Sequence, residues 1–192
     1  MQSRVIKHAF DHHFIVAVER IAKDSPVEQG AVVEDTPYDT RDCELRWIRQ
    51  GSPGYAALEK VFFSLLSHEN LLDPRVCALE DLQYTCYGPG HYHSWHIDSY
   101  GRSYNQYDTV GSRKFIGKKR KVSMSVLLNN ASDFEGGNFE ISLFPNGRNT
   151  LGTPLSDLNE AGDLAIFDSA LCHRVAPVTK GLRKSLVAWI CA

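Results

Sequence analysis

The residues best equipped for chemistry are His96 and Asp98, two positions apart, and a distant His173 followed ten residues later by Arg183. Two imidazoles and one carboxylate are the donor set that suits a mononuclear non-haem Fe(II) and leaves coordination positions open. Open positions admit dioxygen and a co-substrate. Arg183 stands where a cation could hold a carboxylate of that co-substrate. An H-x-D tripeptide is common by chance, and a lone histidine in an apolar stretch is more often a core residue than a ligand. The surroundings weigh against chance. Residues two apart in an extended strand share a face, so His96 and Asp98 can address one ion. The closing strand pattern places Arg183, Ser185 and Val187 on one face. A buried charge there needs a partner, and a bound dicarboxylate would supply it.

Two helical patterns and a series of strands must position these residues. Asp11 to Ala22 has apolar residues at helical spacing: Phe14, Ile15, Val18, Ile21 and Ala22. Pro53 to His68 has Tyr55, Leu58, Val61, Phe62, Leu65 and Leu66 on one side, with Ser52 as the expected N-cap and Pro53 at the first position. Between them, Ala31 to Val33 and Cys43 to Ile48 read as short strands. From about Ala78 the pattern becomes strands: Leu82 to Tyr87, Trp95 to Asp98, Val122 to Leu128, Asn138 to Phe144, Leu164 to Phe167, Cys172 to Ala176 and Ser185 to Ile190. Turn residues such as Gly88-Pro89-Gly90, Glu135-Gly136-Gly137 and Gly162-Asp163 separate them. Many short, evenly spaced strands read as a sandwich or barrel, the jelly roll being the eight-stranded form. The expectation is a mainly β fold with flanking helices that buttress one sheet.

The 192 residues fit one domain, 1–192, with residues 1–77 a mixed flanking part and 78–192 the β core. A net charge of −2 and a pI near 6.4 argue against a general nucleic-acid binder. No apolar run is long enough to span a bilayer, and residues 1–8 lack a signal-peptide apolar region. Five scattered cysteines without a C-x-x-C read as reduced thiols of a cytoplasmic compartment. Cys172, next to His173, faces away from an ion in a strand and reads as structural. The polar stretch from Gly101 to Lys121, with six basic residues in its last nine, is long enough to be a lid over the site. The competing expectation is a solvated hairpin.

The segment Tyr87-Gly88-Pro89-Gly90-His91-Tyr92-His93-Ser94-Trp95-His96-Ile97-Asp98 resembles the Y-x-x-G-x-x-Y-x-x-H-x-D block of prolyl 4-hydroxylase-like Fe(II)/2-oxoglutarate oxygenases. Lys121 to Leu128 with Glu135-Gly136-Gly137, and Ala161 to Val178 with Gly181 to Leu186, resemble the next two blocks, in the family's order. The resemblance covers roughly Tyr84 to Trp189. It implies a double-stranded β-helix (jelly-roll) core with the N-terminal helices packed against one sheet. It implies Fe(II) at His96, Asp98 and His173, and 2-oxoglutarate held by Arg183 with help from Tyr87 and Ser185; ascorbate is a candidate further requirement. An arginine suits bidentate carboxylate recognition. One departure stands out: the motif's second tyrosine falls at position 93, which is His93. Alternation in an unbroken strand would put His91 and His93 opposite His96 and Asp98, in a rim or substrate-contact role rather than on the metal.

The implied activity is hydroxylation of a prolyl residue in a peptide or protein bound under the 101–121 loop. A free amino acid or other small molecule is the alternative substrate. Nucleic acid fits less well, because no run of two spaced arginines follows His173. A non-catalytic, cupin-like metal-binding module is the contrasting class, and Arg183 argues against it, since such a barrel needs no carboxylate clamp.

Overall fold

Several strands here are apolar at consecutive positions, which suits a sheet covered on both faces. A computed structural model describes residues 3–30, 40–71, 73–99, 101–108, 113–146 and 149–192. The chain opens with β1 (Ser3–Ile6) and helix α1 (His12–Lys23), followed by β2 (Glu28–Gln29), β3 (Arg41–Asp42), β4 (Glu44–Ile48) and helix α2 (Tyr55–His68). Then come β5 (Ala78–Leu79), β6 (Leu82–Tyr87), β7 (Tyr92–His96), β8 (Arg120–Leu127) and β9 (Phe134–Gly136). The remainder are β10 (Phe139–Ser142), β11 (Thr153–Pro154), β12 (Leu164–Asp168), β13 (Cys172–Val175), β14 (Val178–Gly181) and β15 (Arg183–Cys191). The expected strand at Ala31 to Val33 lies outside the described residues.

The larger sheet runs β1-β12-β8-β15-β6-β4-β2, with β5 also pairing with β15. The smaller runs β11-β10-β13-β7-β3, and β14 pairs with β9 alone. All pairings are antiparallel. This is the jelly-roll arrangement, and the N-terminal part contributes β1, β2 and β4 to the larger sheet and β3 to the smaller.

The larger sheet divides its residues by parity. Leu164 and Ile166 of β12, Met124 and Val126 of β8, and Leu186, Ala188 and Ile190 of β15 pack toward α1 and α2, with Val18, Phe62 and Leu66. Their neighbours point between the sheets: Ala165, Phe167, Leu127 and Tyr87 join Phe139, Val175 and Cys43 there. The buried polar residues Gln83, Thr85, Ser123, Ser125, Arg183 and Ser185 occupy the same parity as that inner set. One face is therefore mostly apolar under the helices, and the other carries polar groups into the interior. Phe62 anchors the helix side, with its ring edge-on to those of Phe10 and Phe14. Truncating such a residue costs about 3–5 kcal/mol.

Helix α1 is capped as its sequence suggests: the Asp11 side chain accepts from the Phe14 N–H at 2.8 Å. Helix α2 departs from expectation. It starts at Tyr55, with Gly54 at the cap position and φ of 88°. Ser52 instead closes a turn, its hydroxyl donating to the Arg49 carbonyl at 2.6 Å. A side chain at Gly54 would meet Ile21 of α1 at 2.5 Å, so close helix packing dictates the entry.

The 101–121 loop is pinned at both described ends. Tyr104 and Phe115 are buried together with Ala78 and Cys191. Tyr104 donates through its hydroxyl to Glu80 at 2.7 Å. Arg120 binds both carboxylate oxygens of Glu80, at 2.9 and 2.7 Å, and lies over the Trp189 ring. Lys118 donates to the Val76 carbonyl. Arg120 and Lys118 are thus committed to the fold and are not free charges for steering a substrate, because the buried Glu80 has to be neutralised. Tyr107, toward the loop's tip, is exposed.

Asp163 ties the N-terminus to the start of β12. Its buried carboxylate accepts from Lys7 Nζ at 2.5 Å and from the N–H groups of His8, Asn159 and Glu160. Burial pushes this carboxyl up, but Lys7 and the three N–H donors outweigh burial and hold it below the usual range. A depressed folded value means stability present above the unfolded pKa of about 3.9 and lost as pH falls through the folded value. Asp163→Asn should cost about 2 kcal/mol at neutral pH. In urea titrations the gap from wild type should hold above about pH 5 and shrink below about pH 4. A gap that stays constant into strong acid would mean that the charge is not what matters.

Candidate metal and co-substrate site

His96 is the last residue of β7 and pairs directly with His173 of β13. Directly opposed residues in an antiparallel pair share a face, so both imidazoles enter the space between the sheets. Asp98 lies just past the strand end, where its N–H donates to the Ser169 carbonyl at 2.9 Å. Alternation survives the bend: Ile97 points out and is half exposed, while Asp98 turns in and is buried. The three residues offer ligand atoms that all lie within 4.8 Å of one another. His173 Nε2 is 3.5 Å from Asp98 Oδ2, and His96 Nε2 is 3.8 Å from Asp98 Oδ1.

The tautomers are fixed by the backbone. His96 Nδ1 lies 2.8 Å from the Ser94 carbonyl, and His173 Nδ1 lies 2.9 Å from that of Leu171. A carbonyl only accepts, so each Nδ1 carries the proton and each Nε2 presents its lone pair to the cluster. Two lone pairs and a carboxylate then face one another, and Asp98 Oδ2 is buried with no hydrogen-bond partner. A cation at the centre resolves that arrangement. Burial, then His173 and His93, holds His96 well below the ordinary histidine range, so it stays a neutral donor. Burial would push Asp98 up, but the Arg120 charge and the Ser123 hydroxyl, which act whether or not the imidazoles are protonated, hold it below the usual carboxylate range. Ser123 in turn meets Ser169, hydroxyl to hydroxyl at 2.9 Å. Phe167 and Phe139 wall the far side of the His173 ring, with centroids 4.6 and 5.5 Å away.

Arg183, at the start of β15, is 2 % exposed. It pairs in register with Tyr87, whose ring centroid is 5.7 Å from the guanidinium carbon. Nη1 donates to Ser185 Oγ at 3.2 Å, and Nη2 is buried without a hydrogen-bond partner. No carboxylate among the described residues reaches Arg183, yet a guanidinium keeps its charge in a protein. All six residues singled out from the sequence therefore converge: His96, Asp98 and His173 at one end of the interior, with Arg183, Tyr87 and Ser185 on the inner face of the larger sheet.

His93 was misplaced by simple alternation. Three steps along β7, from His93 to His96, match two along β13, from Val175 to His173. The extra residue is a β-bulge, and it returns His93 to the inner face, where its ring stacks on His96 at 3.6 Å. His91 stays at the rim, accepting the Gly88 N–H at 3.1 Å. Trp95 faces outward under Arg174. Cys172, paired with Ser142 beside His173, is buried and not part of the cluster. Ser123 and Ser169, which brace Asp98, had no motif to announce them.

The chain's likeness to known proteins fits this geometry. The model for the 2OG-Fe(II) oxygenase superfamily matches residues 82–191. A PKHD-type hydroxylase of Xylella fastidiosa (strain 9a5c) is 30% identical over 108 residues, which are 56% of this chain and 43% of that protein. The chain thus spans less than half the length of that relative. A 2OG-Fe(II) oxygenase family oxidoreductase from Burkholderia pseudomallei superposes with a TM-score of 0.66 at 18% identity, covering 98% of this chain and 84% of the other. A Trichoplax adhaerens prolyl hydroxylase, solved with a hypoxia inducible factor oxygen degradation domain peptide fragment, gives 0.66 at 18% identity, over 98% and 82%. At such identities the two structures speak for the fold alone. The family match itself runs through more than half of the chain and carries every one of the six converging residues, so this chain belongs to the 2OG-Fe(II) oxygenase superfamily.

Proposed function

We propose that this chain is an Fe(II)- and 2-oxoglutarate-dependent dioxygenase that hydroxylates a C–H bond, with a prolyl residue of a peptide or protein as its substrate. One observation carries the reading: two histidine lone pairs and an unpartnered Asp98 oxygen converge in the same interior as a buried, unpaired Arg183. His96, Asp98 and His173 would hold the iron. Arg183 would hold the distal carboxylate of 2-oxoglutarate, with Ser185 fixing the guanidinium and the Tyr87 ring beside it. Fe(II), 2-oxoglutarate and dioxygen together supply an oxidative decarboxylation to succinate and carbon dioxide that delivers one oxygen atom to the substrate. The protein's own share is orientation and exclusion of water. The Ser94 and Leu171 carbonyls aim the imidazoles, Ser123 and Ser169 brace Asp98, and Phe139 and Phe167 keep that side dry.

Two features support a peptide substrate. The Trichoplax neighbour was solved with one. Here Ile97 follows His96, and Leu143 and Phe144 follow the strand end that pairs beside His173, and all three are exposed apolar side chains. A rim of this kind suits packing against a peptide. No helix among the described residues is long and apolar enough to cross a membrane. The test is to supply Fe(II), 2-oxoglutarate and a library of proline-containing peptides. Succinate formation and a peptide gain of one oxygen mass are expected; no succinate under any condition would overturn the reading.

Two variants check the residue roles. His173→Ala should abolish stoichiometric Fe(II) binding by anaerobic calorimetry while leaving the circular dichroism spectrum intact, because the position contributes a ligand rather than core volume alone. Retention of wild-type metal affinity would remove His173 from the site. Arg183→Ala should raise the 2-oxoglutarate requirement by roughly 10- to 150-fold, the equivalent of a charge-assisted pair of about 1.5–3 kcal/mol. An unchanged requirement would mean that the co-substrate's distal carboxylate lies elsewhere.

A further inference from the structure

Arg41 is a second guanidinium in this interior, and it comes from outside the family-matched residues 82–191. It sits on β3, the edge strand of the smaller sheet, directly opposite His93. Opposed residues share a face, and His93 is on the inner face, stacked on His96. Arg41 Nε donates to Cys43 Sγ at 3.0 Å. Gly30 backs this corner closely: a side chain there would meet Cys43 Sγ at 2.6 Å and Arg41 Nε at 3.1 Å. Held in this way, Arg41 presents an Nη2 that is buried and has no hydrogen-bond partner among the described residues. Its charge reaches the same phenol as that of Arg183. Burial pushes Tyr87 up to about 12, and Arg41 and then Arg183 are the cations that oppose the rise.

Buried charge must be matched. Arg120 is already neutralised by Glu80. With a divalent ion on Asp98 and the two histidines, and 2-oxoglutarate spanning that ion and Arg183, the two carboxylates of 2-oxoglutarate are both used. Among the described residues, two guanidiniums and a divalent ion still exceed Asp98 and those carboxylates by one positive charge. The surplus lies at Arg41, on the smaller sheet opposite His93, whereas Arg183 is on the larger sheet. We propose that Arg41 binds a carboxylate of the molecule that is hydroxylated, so that the enzyme selects an acidic substrate. This rests on the assignment of Arg183 to 2-oxoglutarate. The carboxylate has two sources: that of a free amino acid, or the side chain of an acidic residue next to the target in a peptide.

The test uses protein labelled with 15N-arginine, loaded with Zn(II) as a redox-inert stand-in and then with 2-oxoglutarate. The Nε–H signals are assigned with Arg41→Lys and Arg183→Lys, and with Arg41→Gln should the first variant fold poorly. Free L-proline is titrated against L-prolinamide, and a blocked prolyl-glutamate dipeptide against its glutamine counterpart. 2-Oxoglutarate should shift the Arg183 signal. One acid should then shift the Arg41 signal saturably while its amide leaves it in place, and the pair that does so identifies the source. The proposal is overturned if 2-oxoglutarate shifts the Arg41 signal, or if neither acid shifts it at saturating concentration. An Arg183 signal indifferent to 2-oxoglutarate would instead sink the co-substrate assignment, which is a separate failure.

Discussion

A carboxylate and two guanidinium ends buried in one interior, without an ion pair joining them, set the terms for this fold. Asp98 Oδ2, Arg183 Nη2 and Arg41 Nη2 all lie away from water without a hydrogen-bond partner among the described residues. Burial of isolated charges is expensive, and a small domain has only about 5–15 kcal/mol of net stability to set against it. The cost falls once ions of opposite charge enter: a cation among Asp98 and the two Nε2 atoms, and anions on the arginines. On the proposed assignments those ions would be the protein's ligands, and ligands that bind only the folded chain stabilise it by mass action.

The rest of the architecture makes that interior tolerable. The larger sheet keeps mostly apolar residues on the helix side, where Phe62, Val18, Met124 and Ile166 pack together. Its other face carries Arg183, Ser185 and Ser123 inward at the positions between. The smaller sheet supplies both histidines in a directly opposed pair. Outside the site, Glu80 and Arg120 satisfy each other with Tyr104 and Cys191, and this network fastens the base of the long loop to the end of β7 through Arg120 and the Asp98 carbonyl. The same arrangement commits Arg120 and Lys118 of the loop's basic run to the fold.

Much of this was legible in the sequence because it depends on local periodicity and motif spacing. The parity that joins His96 to Asp98 and Arg183 to Ser185 can be counted off the chain, and so can the helical spacing of α1. What depended on three-dimensional register was not legible. His93 looks outward by counting, and only the bulge against β13 turns it in. Gly54 replaces Ser52 at the head of α2 because Ile21, more than thirty residues earlier, leaves no room for a side chain. Arg41 sits in a two-residue edge strand whose partner is His93, and no local pattern marks so short an element as part of a site. Ser123 and Ser169 lie 46 positions apart and meet only because β8 and β12 are neighbours.

On the proposed function, a metal ion and 2-oxoglutarate share one site built from His96, Asp98, His173 and Arg183. If so, each must tighten the other, because their coupling is reciprocal. The most direct measurement is a Mn(II) titration followed by electron paramagnetic resonance, with and without 2-oxoglutarate and with glutarate, which lacks the 2-oxo group, as the control. 2-Oxoglutarate should tighten Mn(II) binding at least tenfold, an effect of about 1.4 kcal/mol, and glutarate should do so far less. Equal Mn(II) affinity in all three conditions would contradict it.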